Sequence, residues 1–192
     1  ILKAMWTHDE PAFSGKHFKV HHAYNNPRQI QKPHPPIMLG GSGTGLLKIA
    51  AREADIINLI PPTSNGKDFV NDPVATVKFD MATLKSRIAK LHGFCREIER
   101  DPAEIELGGL ALLALSTDAD DPALRDLASG LGFSDYAAAQ RAPVALLGTP
   151  AEVKREIQRR VEETAVTYYI MLAASPETQD LFVTDVMPAF QS

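Results

Sequence analysis

The sequence predicts an α/β protein built on a parallel sheet, on three observations. Short apolar runs alternate with amphipathic helical stretches, strand then helix, four times along the 192 residues. The run from Ile105 to Leu115 has almost no polar alternation, the pattern of a strand covered on both faces. Residues 35–54 read as a strand, a glycine loop and a helix in immediate succession.

In chain order, residues 1–6 read as the last turns of a helix already under way, and the start at Ile1 as a chain whose natural N-terminal part is absent. Residues 11–34 alternate Phe18 and Val20 with polar neighbours, and predict an extended excursion or short hairpin. The first strand is Ile37 to Leu39 and the second Ile56 to Ile60, stopped by Pro61 and Pro62, with a loop of polar and turn residues through Pro73. Leu84, Ile88, Leu91, Cys95 and Ile98 form one apolar stripe on a helix over Met81 to Arg100, ended by Asp101 and Pro102. That stripe makes Cys95 a buried structural thiol.

The third strand is Ile105 to Leu115. Asp118, Asp120 and Asp121 lack the glycine and distal glutamate of a calcium loop, so they read as a helix cap before Pro122. Helical stretches follow near Pro122 to Ser129 and Ser134 to Gln140. Thr149 then caps a helix, with Pro150 in its first position and Glu152 completing a capping box. Val153, Ile157 and Val161 point that helix at the core, and Lys154, Arg155, Arg159, Arg160, Glu162 and Glu163 are expected to face water. The fourth strand is Val166 to Leu172, before a final helix near Pro176 to Val186. Four such units are half of a (β/α)8 barrel of roughly 250 residues. A four-stranded open doubly wound sheet fits the same pattern.

The glycine loop carries the clearest chemistry. Backbone N–H groups at a helix start have no intrahelical acceptor, and the helix dipole favours negative charge there. Gly40, Gly41, Ser42, Gly43, Thr44 and Gly45 would let an anion approach the backbone with few Cβ atoms in the way. The dinucleotide fingerprint fails, since Leu46 stands where its third glycine belongs and Asp55 precedes the next strand. The P-loop fails too, since Leu46 and Leu47 replace its Lys-Ser/Thr pair. A glycine turn that merely lets a helix pack closely is the competing reading.

A formal net charge of −4 argues against a nucleic-acid partner. No stretch approaches the roughly 20 apolar residues of a membrane span, and Lys3, His8, Asp9 and Glu10 interrupt any signal peptide. The single Cys95 excludes an intramolecular disulfide and a cysteine-cluster metal site, and fits a reducing, cytoplasmic compartment. The histidines at 8, 17, 21, 22, 34 and 92 make no metal spacing on one helix, so no metal is expected. His21 and His22 read as a surface pair, with His17 or His22 as an option for a substrate entrance. No nucleophile–base–acid set supports hydrolysis.

Trp6, the run Phe13-Ser14-Gly15-Lys16-His17-Phe18, Pro27, and Gln31 through Gly41 together resemble the luciferase-like monooxygenase superfamily. So do Ala50 through Asp55, Leu147 to Pro150, and Val166 to Tyr169. The similarity runs in order along essentially the whole chain, and is greatest to a branch of deazaflavin-dependent oxidoreductases.

The resemblance implies a (β/α)8 TIM barrel of the bacterial-luciferase-like type. Residues 1–192 would be its C-terminal half, strands five to eight, and 11–34 an extended insertion. It implies an oxidoreductase acting on a small organic substrate with reduced deazaflavin coenzyme F420, the favoured cofactor, or with reduced FMN. The deazaflavin donates hydride, whereas the flavin activates oxygen. By the same resemblance Gly40, Gly41, Ser42, Gly43 and Thr44 would contact the cofactor. The first half of such barrels supplies most residues near the reacting carbon, so no catalytic residue is assigned. A half-barrel also leaves strand edges open, and self-association into a homo-oligomer, or an N-terminal half supplied in trans, is expected. A non-catalytic phosphate-ligand-binding module, or a half-barrel remnant acting by association, is the alternative.

Overall fold

A computed structural model describes residues 1–61 and 72–191. The chain separates into two compact units, residues 1–37 and 38–192. In the first, α1 (Leu2–Thr7) ends as the His8 N–H donates to the Ala4 carbonyl. A small antiparallel hairpin pairs β1 (Phe13–Ser14) with β2 (Lys19–Val20). Beyond it the Gln29 side chain donates to the Trp6 carbonyl, and the Trp6 and His34 rings lie 5.7 Å apart. The expected excursion is thus a hairpin followed by irregular chain.

The second unit is a parallel sheet wrapped by helices. Its strands are β3 (Met38–Gly40), β4 (Ile56–Leu59), β5 (Glu106–Leu115), β6 (Ala145–Gly148) and β7 (Val166–Ala173). All pairings among them are parallel, with β3 on β4 and β4 on the first half of β5. β6 pairs with the second half of β5, and β7 runs along β5 from Leu107 to Leu113. Among the described residues the sheet does not close on itself. Among those residues, neither β3 nor β7 pairs with a further strand.

The helices are α2 (Thr44–Glu53), α3 (Pro73–Lys78), α4 (Met81–Glu97), α5 (Pro122–Gly130), α6 (Tyr136–Arg141), α7 (Pro150–Thr164) and α8 (Pro176–Leu181). Burial follows the period of each element. Ile57 and Leu59 of β4 pack with Leu47 and Ala50 of α2 and with Leu84, Ile88, Leu91 and Cys95 of α4. A second cluster joins Ala111, Leu113 and Leu115 of β5, Leu146 of β6, and Val153 and Ile157 of α7. Side chains alternate along a strand, so Asn58 lies on the face of β4 opposite Ile57 and Leu59.

Four expectations change. β6 is a fifth strand, because the short apolar run before Gly148 pairs with β5 instead of merely leading into α7. Arg160 does not face water, since it is 1% exposed. Its guanidinium donates to the carbonyls of Gln140, Ala142, Pro143 and Ala145, and its Nε to Glu156. α4 stops at Glu97, before Asp101, where Glu99 takes a left-handed φ of 57° and the Arg100 N–H turns back to the Cys95 carbonyl. The final helix breaks at Leu181 into a π turn (182–186) and a 3-10 turn containing Pro188. Most of the loop between Pro61 and Pro73 lies outside the described residues.

Candidate cofactor site

β3 delivers the chain into the glycine loop, and α2 carries it away. Two bonds lash the loop to β4. The Gly41 N–H donates to the Asn58 carbonyl at 2.9 Å, and the Ser42 hydroxyl donates to the Ile60 carbonyl at 2.7 Å. Gly41 has a φ of +137°, and a Cβ there would stand 2.5 Å from Leu46 Cδ2, so this position demands glycine. Ser42 is buried and its hydroxyl is committed. Gly41 and Ser42 therefore hold the loop in shape. Gly40, Gly43 and Thr44 are exposed, and a Cβ at Gly40, Gly43 or Gly45 would meet nothing within 4 Å.

Gly43 is the N-cap of α2, and no side chain caps the helix there. The helices from α3 to α8 are each capped by a side chain, from Asp72, Asp80, Asp121, Asp135, Thr149 and Ser175 in turn. The other end of α2 is closed. The Arg100 guanidinium donates to the carbonyls of Ala50, Ala51 and Ala54 at 3.4, 3.1 and 2.9 Å. A cation at the C-terminus and an open N-terminus leave the positive end of the helix dipole facing outward. Lys90 of α4 adds a charge there, its Nζ donating to Thr44 Oγ1 at 2.8 Å. Clear space above the glycines, free helix-start geometry and an adjacent ammonium fit a phosphate group.

Two residues of this neighbourhood were not singled out from sequence. Lys90 reaches Thr44 from a helix 46 positions away, which no local pattern reveals. Asn58 did leave a signal, as the one polar residue in the run Ile56 to Ile60. Its side chain is 5% exposed and its Oδ1 has no hydrogen-bond partner among the described residues.

The other candidate groups lie elsewhere. A cleft of about 690 Å³ opens at the N-terminal end of the sheet, lined by Asp55, His92, Asp101, Glu104 and Glu106. Parallel α/β sheets bind ligands at the opposite, C-terminal end, where the glycine loop lies. Burial pushes the Cys95 thiol above its ordinary value, consistent with a structural thiol on α4. Burial, and then the Arg96 charge, lower the affinity of His92 for a proton. His17, His21 and His22 are exposed in the first unit. No group of metal-ligating side chains occurs among the described residues, and no helix there is long and apolar enough to cross a membrane.

Comparison with known proteins places this chain in a family. The family model for luciferase-like monooxygenases matches residues 1–167. A curated relative, an FMNH(2)-dependent dimethylsulfone monooxygenase from Pseudomonas putida, is 35% identical over 54 residues, 28% of this chain and 15% of the relative. A coenzyme F420-dependent tetrahydromethanopterin reductase from Methanopyrus kandleri superposes with a TM-score of 0.71 at 14% identity, over 99% of this chain and 62% of that one. An F420-dependent secondary alcohol dehydrogenase gives 0.69 at 20% identity, over 100% of this chain and 59% of that one. This chain thus spans between 46% and 62% of the length of the solved structures it matches. With a family match over most of its length and the fold of these neighbours, the chain belongs to the luciferase-like monooxygenases.

Proposed function

We propose that this chain is the C-terminal part of a (β/α)8 oxidoreductase that acts on a small organic substrate, and that it holds the phosphate end of the cofactor. Coenzyme F420 is the favoured cofactor, on the resemblance of the motifs to deazaflavin-dependent enzymes, with FMN as the second. The observation that carries the reading is the open N-terminus of α2 beneath exposed glycines. A reduced deazaflavin held there would supply hydride, and a reduced flavin would supply oxygen activation. The chain's own residues bind and orient. Backbone N–H groups at Gly43 and Thr44 receive the phosphate, Lys90 balances its charge, and Gly41 and Ser42 fix the loop against β4. The open edges of β3 and β7 are the places where an N-terminal half-barrel, or a second copy, would pair.

Gly43→Asp tests the reading. At Gly43 the backbone has φ −67° and ψ 146°, which aspartate adopts readily, and its Cβ would point into open space. Aspartate is a good N-cap, so the variant should be as stable as the parent or a few tenths of a kcal/mol more so. It also places a carboxylate where the phosphate should sit. Affinity for FMN or coenzyme F420, measured by fluorescence titration of the intact protein, should fall at least about tenfold, or about 1.4 kcal/mol. Unchanged affinity for both would remove the loop from the cofactor site. Gly41→Asp is a poorer probe, because the strained φ and the Leu46 contact would deform the loop itself.

A further inference from the structure

Burying a carboxamide with an unmet acceptor is costly, and an apolar side chain is the default inside a sheet. Asn58 breaks that default. It is 5% exposed, its Oδ1 has no partner among the described residues, and its neighbours along β4 are isoleucine and leucine. The strands on both sides present glycine in register, Gly40 on β3 and Gly108 on β5. No side chain therefore flanks the carboxamide across the sheet on either side. Its own backbone carbonyl accepts the Gly41 N–H, which ties it to the glycine loop. It stands one strand away from the residue where β3 enters that loop, on the sheet face that α2 and α4 do not cover.

The geometry points to Asn58 as a ring-recognition residue, whose Oδ1 accepts a ring N–H from a planar heterocycle lying across Gly40. This rests on the cofactor reading above and extends it. The open end of α2 takes the phosphate, and the orphaned acceptor on β4 takes the ring of the same ligand. The required ligand class is a heterocycle with an imide or lactam N–H, which flavin and deazaflavin rings share at N3. An unmet acceptor selects such a donor because a ligand without it leaves the amide unpaired.

Two substitutions and two ligands separate the ring from the phosphate. Riboflavin and the deazaflavin nucleoside both lack phosphate, so Gly43→Asp should leave their affinity unchanged. Asn58→Leu should weaken whichever of the two the wild type binds by about tenfold. The N3-methylated form of that ligand should bind wild type about tenfold more weakly than its parent. It should bind wild type and Asn58→Leu equally, closing the cycle on one hydrogen bond. Thermal unfolding of ligand-free Asn58→Leu should start no lower than wild type, since the substitution removes an unmet polar group. A structural asparagine would instead lower it. Should the leucine variant fail to fold, Asn58→Ala carries the same comparison. Equal affinity of wild type for the N–H and N-methyl ligands overturns the assignment, as does unchanged affinity in a folded Asn58 variant. Either result leaves the phosphate reading standing on Gly43→Asp. A wild type that binds neither flavins nor deazaflavins overturns both.

Discussion

Two strand-to-helix turns of this protein share a backbone and differ in what they do with it. At β3–α2 the chain turns through Gly41 with φ +137°, and at β6–α7 through Gly148 with φ +138°. The second turn satisfies itself. Glu152 N–H donates to Thr149 Oγ1, and the Thr149 N–H and hydroxyl both donate to Glu152 Oε2. Pro150 occupies the first position of α7, where its missing N–H costs nothing. The first turn has Gly43 at the cap and no side chain to close it. The glycine sets the turn in both, and the capping chemistry decides whether the helix start is structural or open to a ligand. A search for glycine loops alone would not separate the two.

The largest expected effect comes from untying α7, the helix of the closed turn, from the segment that enters β6. Arg160 reaches from α7 back to four carbonyls between Gln140 and Ala145, and holds Glu156 as well. Arg160→Ala strands those acceptors in a buried setting and should cost about 3–5 kcal/mol in urea unfolding. Arg160→Lys should recover little, because an ammonium cannot span the carbonyls as the guanidinium fork does. Cofactor affinity per folded molecule should not change if this packing of α7 is independent of the open turn. A parallel loss of affinity would mean that the packing of α7 on the segment entering β6 contributes to the site.

Arg160 also marks the limit of what the sequence reveals. The strand–helix order, the α7 capping box, the apolar stripe of α4 and the glycine loop are all readable, because each depends on neighbours within a few residues. Arg160 belongs to a charged run on α7 that looks like a solvated face, and only the turn folded over it buries it. β6 escaped because its four residues, Ala145–Gly148, carry too little periodicity to distinguish a strand from a lead-in. The part of the site that is local, Gly40 to Thr44, was legible as a candidate. The division of labour within it was not. Gly41 and Ser42 turn out to be braced against β4, a contact made across 17 or 18 positions of chain. Asn58 and Lys90 join the neighbourhood through tertiary folding alone.

A smaller effect sharpens the contrast from the other side. Thr149→Ala deletes the hydroxyl that accepts the Glu152 N–H and donates to its carboxylate. The loss should be about 1 kcal/mol, the ordinary cost of an N-cap. Set beside Gly43→Asp it makes a crossed pair, one variant opening a closed helix start and the other closing an open one. Stability should fall in the first and hold in the second, while affinity should hold in the first and fall in the second. Calorimetric melting with and without FMN or coenzyme F420 reads both. If Thr149→Ala also weakens binding, the two helix starts are not separable in function.

The smallest effect is a pH dependence confined to the closed turn's helix. Burial raises the proton affinity of Glu156, but hydrogen bonds and charge from Arg159 and Arg160 outweigh it, so its carboxyl sits below the ordinary 4.5. A carboxyl with a depressed folded value binds fewer protons than the unfolded chain does. Its contribution is therefore fully present above about pH 4.5 and is lost as pH falls through the depressed value. Residues 40–45 contain no ionisable side chain, so the open turn has no such dependence of its own. Glu156→Gln should be less stable than wild type at neutral pH by up to about 1 kcal/mol, allowing for the screening of partly exposed Arg159. The gap should narrow below pH 4.5 and vanish once the wild-type carboxyl is protonated. Urea unfolding from pH 7 to roughly pH 3.5 covers the onset of this narrowing, around the ordinary carboxylate value. A gap of constant size throughout would show that Glu156 holds α7 by packing and neutral hydrogen bonds, with its charge irrelevant.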